Sequence, residues 1–255
     1  GDEASLFADA VYLGGTEYGL RANSKNFDAG GLREAISLAH RNNVKVYVTV
    51  NIFAKNSDLA SLPEYLRSLE AYGADAILIA DPGVFMLARE TVPDLDIHIS
   101  TQANSTNYQS ALFWHSLGAK RIVAARELSL AEIRETKQML PSDMGLEVFV
   151  HGAMCISYSG RCLLSSYLTG RDSNKGDCAQ PCRWSYQLGT AVSEKFAPPE
   201  APTGFLLEEE KRPGEFFPIE EDDRGTFIMN AKDMNMLAHL RELARVGGDS
   251  IKIEG

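Results

Sequence analysis

Short runs rich in Val and Ile recur along the chain and alternate with longer segments of helical period. They fall at 10–13, 44–50, 76–80, 97–100, 121–125, 146–150, 226–229 and 250–253. Runs of this length and composition suit buried strands of a parallel sheet. Parallel neighbours need crossovers, and the first six runs stand at the spacing of βα units. The pattern predicts an α/β fold, a TIM-like (β/α) barrel. A single domain over residues 1–255 is also the natural size for that architecture.

The intervening segments carry helix punctuation. Leu32, Ala35, Ile36 and Ala39 make one apolar face, and Leu62, Leu66 and Leu69 another, ended by Gly73. Ser129 and Glu132 fit a capping box ahead of Ile133 and Leu140. Leu237, Leu240 and Ala244 form a last stripe, ended by Gly247. From 151 to 225 this rhythm stops. The reading here is a folded metal- or cluster-binding insertion over 151–186, after the sixth strand, then a loop excursion over 187–225. That excursion holds a Pro-rich stretch at 197–202 and an acidic one at 208–223.

Hydrophobic residues make up 44% and charged residues 24%, which excludes global disorder. No run approaches the roughly 20 apolar residues of a membrane helix. No signal peptide is visible, so a cytoplasmic protein with no membrane partner is expected. The formal charge of −10 repels phosphate at long range, so any nucleic-acid contact needs a local basic patch.

All four cysteines, Cys155, Cys162, Cys178 and Cys182, fall in the segment where the rhythm stops, spaced C-x6-C-x15-C-x3-C. Four thiolates can close a tetrahedral zinc site or hold a 4Fe-4S cluster. Structural zinc favours two short knuckles, and only Cys178 and Cys182 are that close, so the spacing fits a cluster better. Unligated thiols or disulfides are the remaining alternative. Arg161, Arg171, Lys175 and Arg183 surround them as a cationic patch, to offset a negative cluster, to meet a phosphate or carboxylate, or simply as the charges of a solvated loop. Tyr158, Tyr167, Trp184 and Tyr186 add aromatic surface, for stacking a base or for the loop's own packing.

A second constellation lies at the strand ends: Asn51, Asp81, Gln102, Arg126, Glu127, His151, Asn230 and Glu254. In α/β barrels the C-terminal strand ends face the active site. His151 ends a strand four residues before Cys155, as a proton carrier, a partner of a metal ligand or a structural histidine. His98, inside a strand, and His115, inside a helix, read as packing residues. A P-loop, an H-E-x-x-H helix and a G-x-S-x-G elbow are all missing from the sequence.

The run from His151 through Cys155, Ser157, Tyr158, Gly160, Arg161 and Cys162 to Ser165 resembles the collagenase-like peptidases of unassigned catalytic type, family thirty-two. The resemblance continues at Gly176-Asp177-Cys178-Ala179-Gln180-Pro181-Cys182-Arg183-Trp184, Ala10-Val11-Tyr12-Leu13-Gly14-Gly15 and Ser100-Thr101-Gln102-Ala103-Asn104. It recurs at Arg126-Glu127-Leu128-Ser129 and Lys252-Ile253-Glu254-Gly255. Tyr18-Gly19-Leu20-Arg21-Ala22 and Arg212-Pro213-Gly214-Glu215-Phe216 are most similar to the branch of that family concerned with tRNA hydroxylation.

The resemblance implies a 4Fe-4S cluster on the four cysteines, with zinc as the alternative or aerobic replacement. It implies oxygen-independent, prephenate-linked hydroxylation of a tRNA wobble uridine to 5-hydroxyuridine. Gln102, Arg126, Glu127, His151 and Glu254 would orient donor and base or move protons. Arg161, Arg171, Lys175 and Arg183 would meet tRNA phosphate. Family members open with a strand like E-L-L-A-P-A-G and continue past K-I-E-G into a C-terminal β domain. Both are missing here, so a chain truncated at both ends is expected. Two competing readings are a metal-dependent collagenase-like peptidase, with zinc open to water, and a non-enzymatic scaffold with a structural metal site.

Overall fold

The computed structural model describes residues 8–19, 26–152, 154–155, 157–158, 161–173, 177–183 and 233–254, and the backbone of 205–208, 216–222 and 225–227. Lys175, Trp184, Tyr186, Asn230 and the stretch 197–202 lie outside the described residues.

Six strands follow one another in a parallel ladder: β1 (Ala10–Gly14), β2 (Lys45–Val50), β3 (Ala76–Ile79), β4 (Asp96–Ile99), β5 (Arg121–Val123) and β6 (Gly145–Gly152). Helices α1 (Ala29–Arg41), α2 (Asn56–Leu59), α3 (Leu62–Tyr72), α4 (Pro82–Thr91), α5 (Tyr108–Ser116) and α6 (Leu130–Met139) fill the crossovers. The punctuation works as the sequence predicts. Ser129 Oγ accepts from Glu132 N while the Glu132 carboxylate accepts from Ser129 N at 2.8 Å. Gly73 closes α3 at φ 87°, a conformation costly for any residue with a Cβ.

After β6 come α7 (Leu164–Thr169), then β7 (Phe205–Glu208), β8 (Phe216–Asp222) and β9 (Gly225–Phe227). These three strands form a separate antiparallel sheet. Thr226 and Phe227, read from sequence as the start of a barrel strand, therefore pair with β8. The excursion over 187–225 is likewise not all loop. The chain returns through β10 (Met234–Asn235), antiparallel to β6, then α8 (Leu240–Val246) and β11 (Ser250–Ile253), parallel to β6. A 3-10 turn at Leu237–His239 shifts the helical phase, so α8 buries Leu243 and Val246. Of the expected stripe only Leu240 packs against the core, while Leu237 and Ala244 are exposed.

The result is a curled parallel sheet, an opened barrel. Among the described residues no ladder joins β1 to β11. Curling still brings the two edges together through side chains, since Lys252 Nζ of β11 sits 3.2 Å from the centre of the Tyr12 ring of β1, and Tyr12 also hydrogen-bonds the Glu147 carboxylate on β6. Alternate residues point to opposite faces. Val46, Val48, Ile77, Ile79, Ile97 and Ile99 pack outward under Leu32, Ile36, Leu66 and Phe85 of the helices. Tyr47, Leu78, Val123 and Phe149 point inward with Tyr12. Among the described residues no helix is long and apolar enough to cross a membrane.

Candidate active site at the strand ends

The inner face of the sheet borders a cavity of about 1310 Å³ whose lining includes Tyr12, Asn51, Gln102, Arg126, Glu147 and Glu254. At its floor the inward positions of four strands meet. Glu147 is 1% exposed and lies between Arg121 Nη1 at 3.3 Å and Lys252 Nζ at 3.6 Å. Ser250 Oγ donates to it at 3.1 Å. Lys252 Nζ also sits 3.2 Å from the centre of the Tyr12 ring. Burial first, and the Glu147 charge second, push the Tyr12 phenol well above its ordinary range, so it stays a donor. His98 packs edge-on against Tyr47 at 4.7 Å. Burial, then the charges of Arg121, Lys252 and Lys45, lower its pKa to about 3, so it is neutral. His98 is thus the buried packing residue the sequence suggested, whereas His115 is half-exposed and bonds Asp143 at 3.0 Å.

Above this floor the strand ends place the predicted polar residues. Arg126 follows β5, and its guanidinium lies 4.2 Å from the Phe149 ring centre. Arg126 Nη2 reaches Glu254 Oε2 at 2.5 Å, with the two side chains 12% and 23% exposed. Gly152 permits that approach. It sits at φ 144°, and a Cβ there would lie 2.9 Å from the Glu254 carbonyl oxygen. Gln102 lies in the 3-10 turn Thr101–Ala103 after β4, capped by Ser100 Oγ. Its Oε1 is buried with no hydrogen-bond partner among the described residues, and Gln102 lines the cavity. Ser100 Oγ in turn accepts from Asn51 Nδ2 at 3.2 Å.

Gln102, Arg126 and Glu254 thus come together at the mouth. Glu127 does not: it stands in an exposed turn and is not part of the cavity wall. His151 is also exposed, in β6 opposite Asn235, with Glu254 N donating to its carbonyl at 3.0 Å.

The cysteine segment lies over these strand ends. Arg183 Nη2 donates to Met154 O at 3.3 Å and pairs with Asp233 at 2.9 Å. Arg161 stacks 4.4 Å over Phe53, just past β2. Arg171 Nε is held by Asp177 at 2.8 Å. Two of the predicted cationic residues therefore already have carboxylate partners. Cys155 and Cys178 are exposed, while Cys162 and Cys182 are half-buried. Cys162 Sγ accepts from Leu164 N and Cys178 Sγ from Gln180 N. Burial pushes the Cys182 thiol up. The other three cysteines add to the shift, and Arg183 opposes it. Among the described residues no three His, Cys, Asp or Glu side chains stand in ligating geometry. Four sulfurs in one segment, two of them accepting backbone N–H bonds, are a donor set whose chemistry would suit a thiophilic metal or an iron–sulfur cluster.

These features define a class: an α/β protein with a curled parallel sheet and polar residues gathered at the C-terminal strand ends. A profile of known families makes this specific. Residues 4–255 match Peptidase family U32, and the chain belongs to that family. It is 41% identical to the tRNA hydroxylation protein P of Escherichia coli, over 97% of this chain and 59% of that protein. It is 35% identical to tRNA hydroxylation protein P2 of Bacillus subtilis, over 97% of this chain and 73% of that protein. A 23S rRNA 5-hydroxycytidine synthase of Escherichia coli is 34% identical over 97% of this chain and 33% of its own length. The chain thus spans little more than half the length of several relatives it matches. Among solved structures, the U32 peptidase Mk0906 shares the fold with TM-score 0.52 at 18% identity, covering 60% of this chain and 65% of that one.

Proposed function

We propose that this chain forms the barrel part of an RNA-modifying hydroxylase, acting on a tRNA wobble uridine to give 5-hydroxyuridine. The observation that carries this reading is the mouth itself. A buried, unpartnered Gln102 oxygen and a desolvated Arg126–Glu254 pair share a large cavity beneath the cysteine segment. The names of relatives at 34–41% identity support the reaction class. The Gln102 amide bonds the polar edge of the base, and an unmet buried acceptor favours a substrate that brings a donor. Arg126, over the Phe149 ring, fixes the Glu254 carboxylate, which would take up the proton released at the base carbon as a two-electron-oxidising oxygen donor forms the C–O bond. Prephenate, or a like small acid, is the proposed donor-linked partner.

Cys155, Cys162, Cys178 and Cys182 would hold a 4Fe-4S cluster, which supplies electron transfer or activation of the oxygen donor when bound. The test has two parts. The protein purified without oxygen is assayed for iron, acid-labile sulfide and zinc, with about four irons and four sulfides per chain expected. Zinc at one per chain without sulfide overturns the cluster and moves a peptidase or structural-zinc role ahead. The full-length protein is then expressed in cells lacking their own enzyme, and tRNA nucleosides are read for 5-hydroxyuridine. Gln102→Ala and Glu254→Gln should each lower its yield at least tenfold.

A further inference from the structure

A second hollow, of about 390 Å³, opens between the connection from β4 to α5 and the cysteine segment. It is lined by Asn104, Thr106, Ser157, Tyr158 and Arg161. Its chemistry differs from that of its surroundings. Arg171 and Arg183 are engaged by Asp177 and Asp233, whereas Arg161 has no carboxylate partner among the described residues. Phe53 holds its guanidinium as a flat plate. Tyr158 is 51% exposed, and its hydroxyl makes no hydrogen bond among the described residues. An amide and two hydroxyls complete the wall. A flat cation, an aromatic ring and small hydrogen-bonding groups are the components that receive an unstacked nucleotide. The volume lies at the small end of ligand sites, roughly 300–1,000 Å³.

The position is as telling as the composition. Asn104 Nδ2 donates to Gln102 O at 3.0 Å, so one wall of the hollow is tied to the residue that lines the mouth of the cavity. Ser157 Oγ lies 3.7 Å from Cys155 Sγ on the opposite wall. A strand of RNA that places one base beside Gln102 carries its neighbour across Asn104.

We propose that this hollow is the subsite for the nucleotide flanking the target base of a single-stranded RNA loop, with Arg161 on Phe53 and Tyr158 as its stacking surfaces. The proposal rests on the RNA-modifying reading above. The test is fluorescence anisotropy with the full chain and a labelled anticodon stem–loop RNA. Two further RNAs carry an abasic residue on the 5′ or the 3′ side of the target uridine. Tyr158→Ala and Arg161→Gln should each weaken binding of the intact RNA roughly tenfold. On one of the two abasic RNAs they should cost less than twofold more. Arg161→Lys keeps the charge but loses the flat face, and should behave like Arg161→Gln. Arg33→Ala, on exposed α1, removes one positive charge as the reference and should change affinity less than twofold. Thermal melting confirms that each variant is folded. Variants that bind the intact RNA like the parent, or lose as much on both abasic RNAs as on the intact one, overturn the subsite. A parent chain that binds none of the RNAs overturns the RNA-modifying reading and the subsite with it.

Discussion

The floor of the barrel and the cysteine segment above it are both rich in polar groups, but they are built on opposite principles. On the floor, Glu147 is 1% exposed and takes contacts from Tyr12 of β1, Arg121 of β5, and Lys252 and Ser250 of β11, three strands far apart in sequence. In the cysteine segment, the ion pairs are short-range in sequence or lie in solvent, as with Arg171 and Asp177, each 40% exposed. The first arrangement couples distant parts of the chain through charges that are largely buried, with Glu147 1%, Lys252 12% and Arg121 22% exposed. The second leaves side chains accessible to a ligand. Stability is therefore concentrated below the mouth and binding capacity above it.

The sharpest way to break this contrast is to remove the central carboxylate. Glu147→Ala leaves Arg121 and Lys252 facing each other in a desolvated layer, and removing one partner of a buried pair costs about 3–5 kcal/mol. Chemical denaturation should show a loss in that range, and Glu147→Gln, which fills the space and keeps one of the two acceptor oxygens, a smaller one. A loss below about 1 kcal/mol would mean that water reaches this layer, and that floor and segment do not differ.

Acid tests the same layer without a carboxylate mutation. His98 has a folded pKa near 3 against about 6.5 unfolded, so the unfolded chain binds the extra proton. Its contribution is fully present above pH 6.5 and is lost as pH falls from 6.5 towards 3. At pH 5 the loss is about 2 kcal/mol. His98→Phe should flatten this limb in melts taken between pH 7 and pH 5. An unchanged slope would assign acid sensitivity to other groups.

The outer half of the fold was legible in the sequence, and the inner half was not. Ile and Val at every second strand position, with Leu62, Leu66 and Leu69 at helical spacing, announce the sheet and its covering helices. All three leucines are fully buried. The same strands place Tyr12, Tyr47, His98, Arg121, Glu147 and Lys252 on the other face, and a run judged by its apolar content hides them. The signal was present as a period of two: Lys45, Tyr47 and Thr49 alternate with Val46, Val48 and Val50. Charged residues on an inner face pair only across strands far apart in sequence, so no local pattern reveals that Glu147 meets Tyr12, 135 positions away. At the mouth, Gln102, Arg126 and Glu254 were found because strand ends are places where a polar residue has a reason to stand. Glu127 stood next to Arg126 for the same reason, but a one-residue step in a turn points it elsewhere.

Backbone freedom separates the two regions at the position where they meet. Gly152 ends β6 just before the cysteine segment, and its φ of 144° and its 2.9 Å clearance to Glu254 leave no room for a side chain. Gly152→Ala should destabilise the fold by about 1–3 kcal/mol through backbone strain. It should also displace Glu254 from Arg126, so hydroxylation falls more than melting temperature does. A variant that loses stability but keeps full activity would show that the pair is not needed where it stands.

The smallest effect belongs to the exposed side of the comparison. Arg171→Ala removes an ion pair in which both side chains are 40% exposed. Pairs of this kind contribute about 0–1 kcal/mol after screening and side-chain entropy are counted. Urea denaturation in low salt should therefore show a loss below about 1 kcal/mol, shrinking further at high ionic strength as the pair is screened. A loss near that of Glu147→Ala, insensitive to salt, would instead make the cysteine segment part of the same cooperative unit as the barrel floor. The accessible arginine beside it, Arg161, would then owe its exposure to the fold around it and not to a loosely held segment.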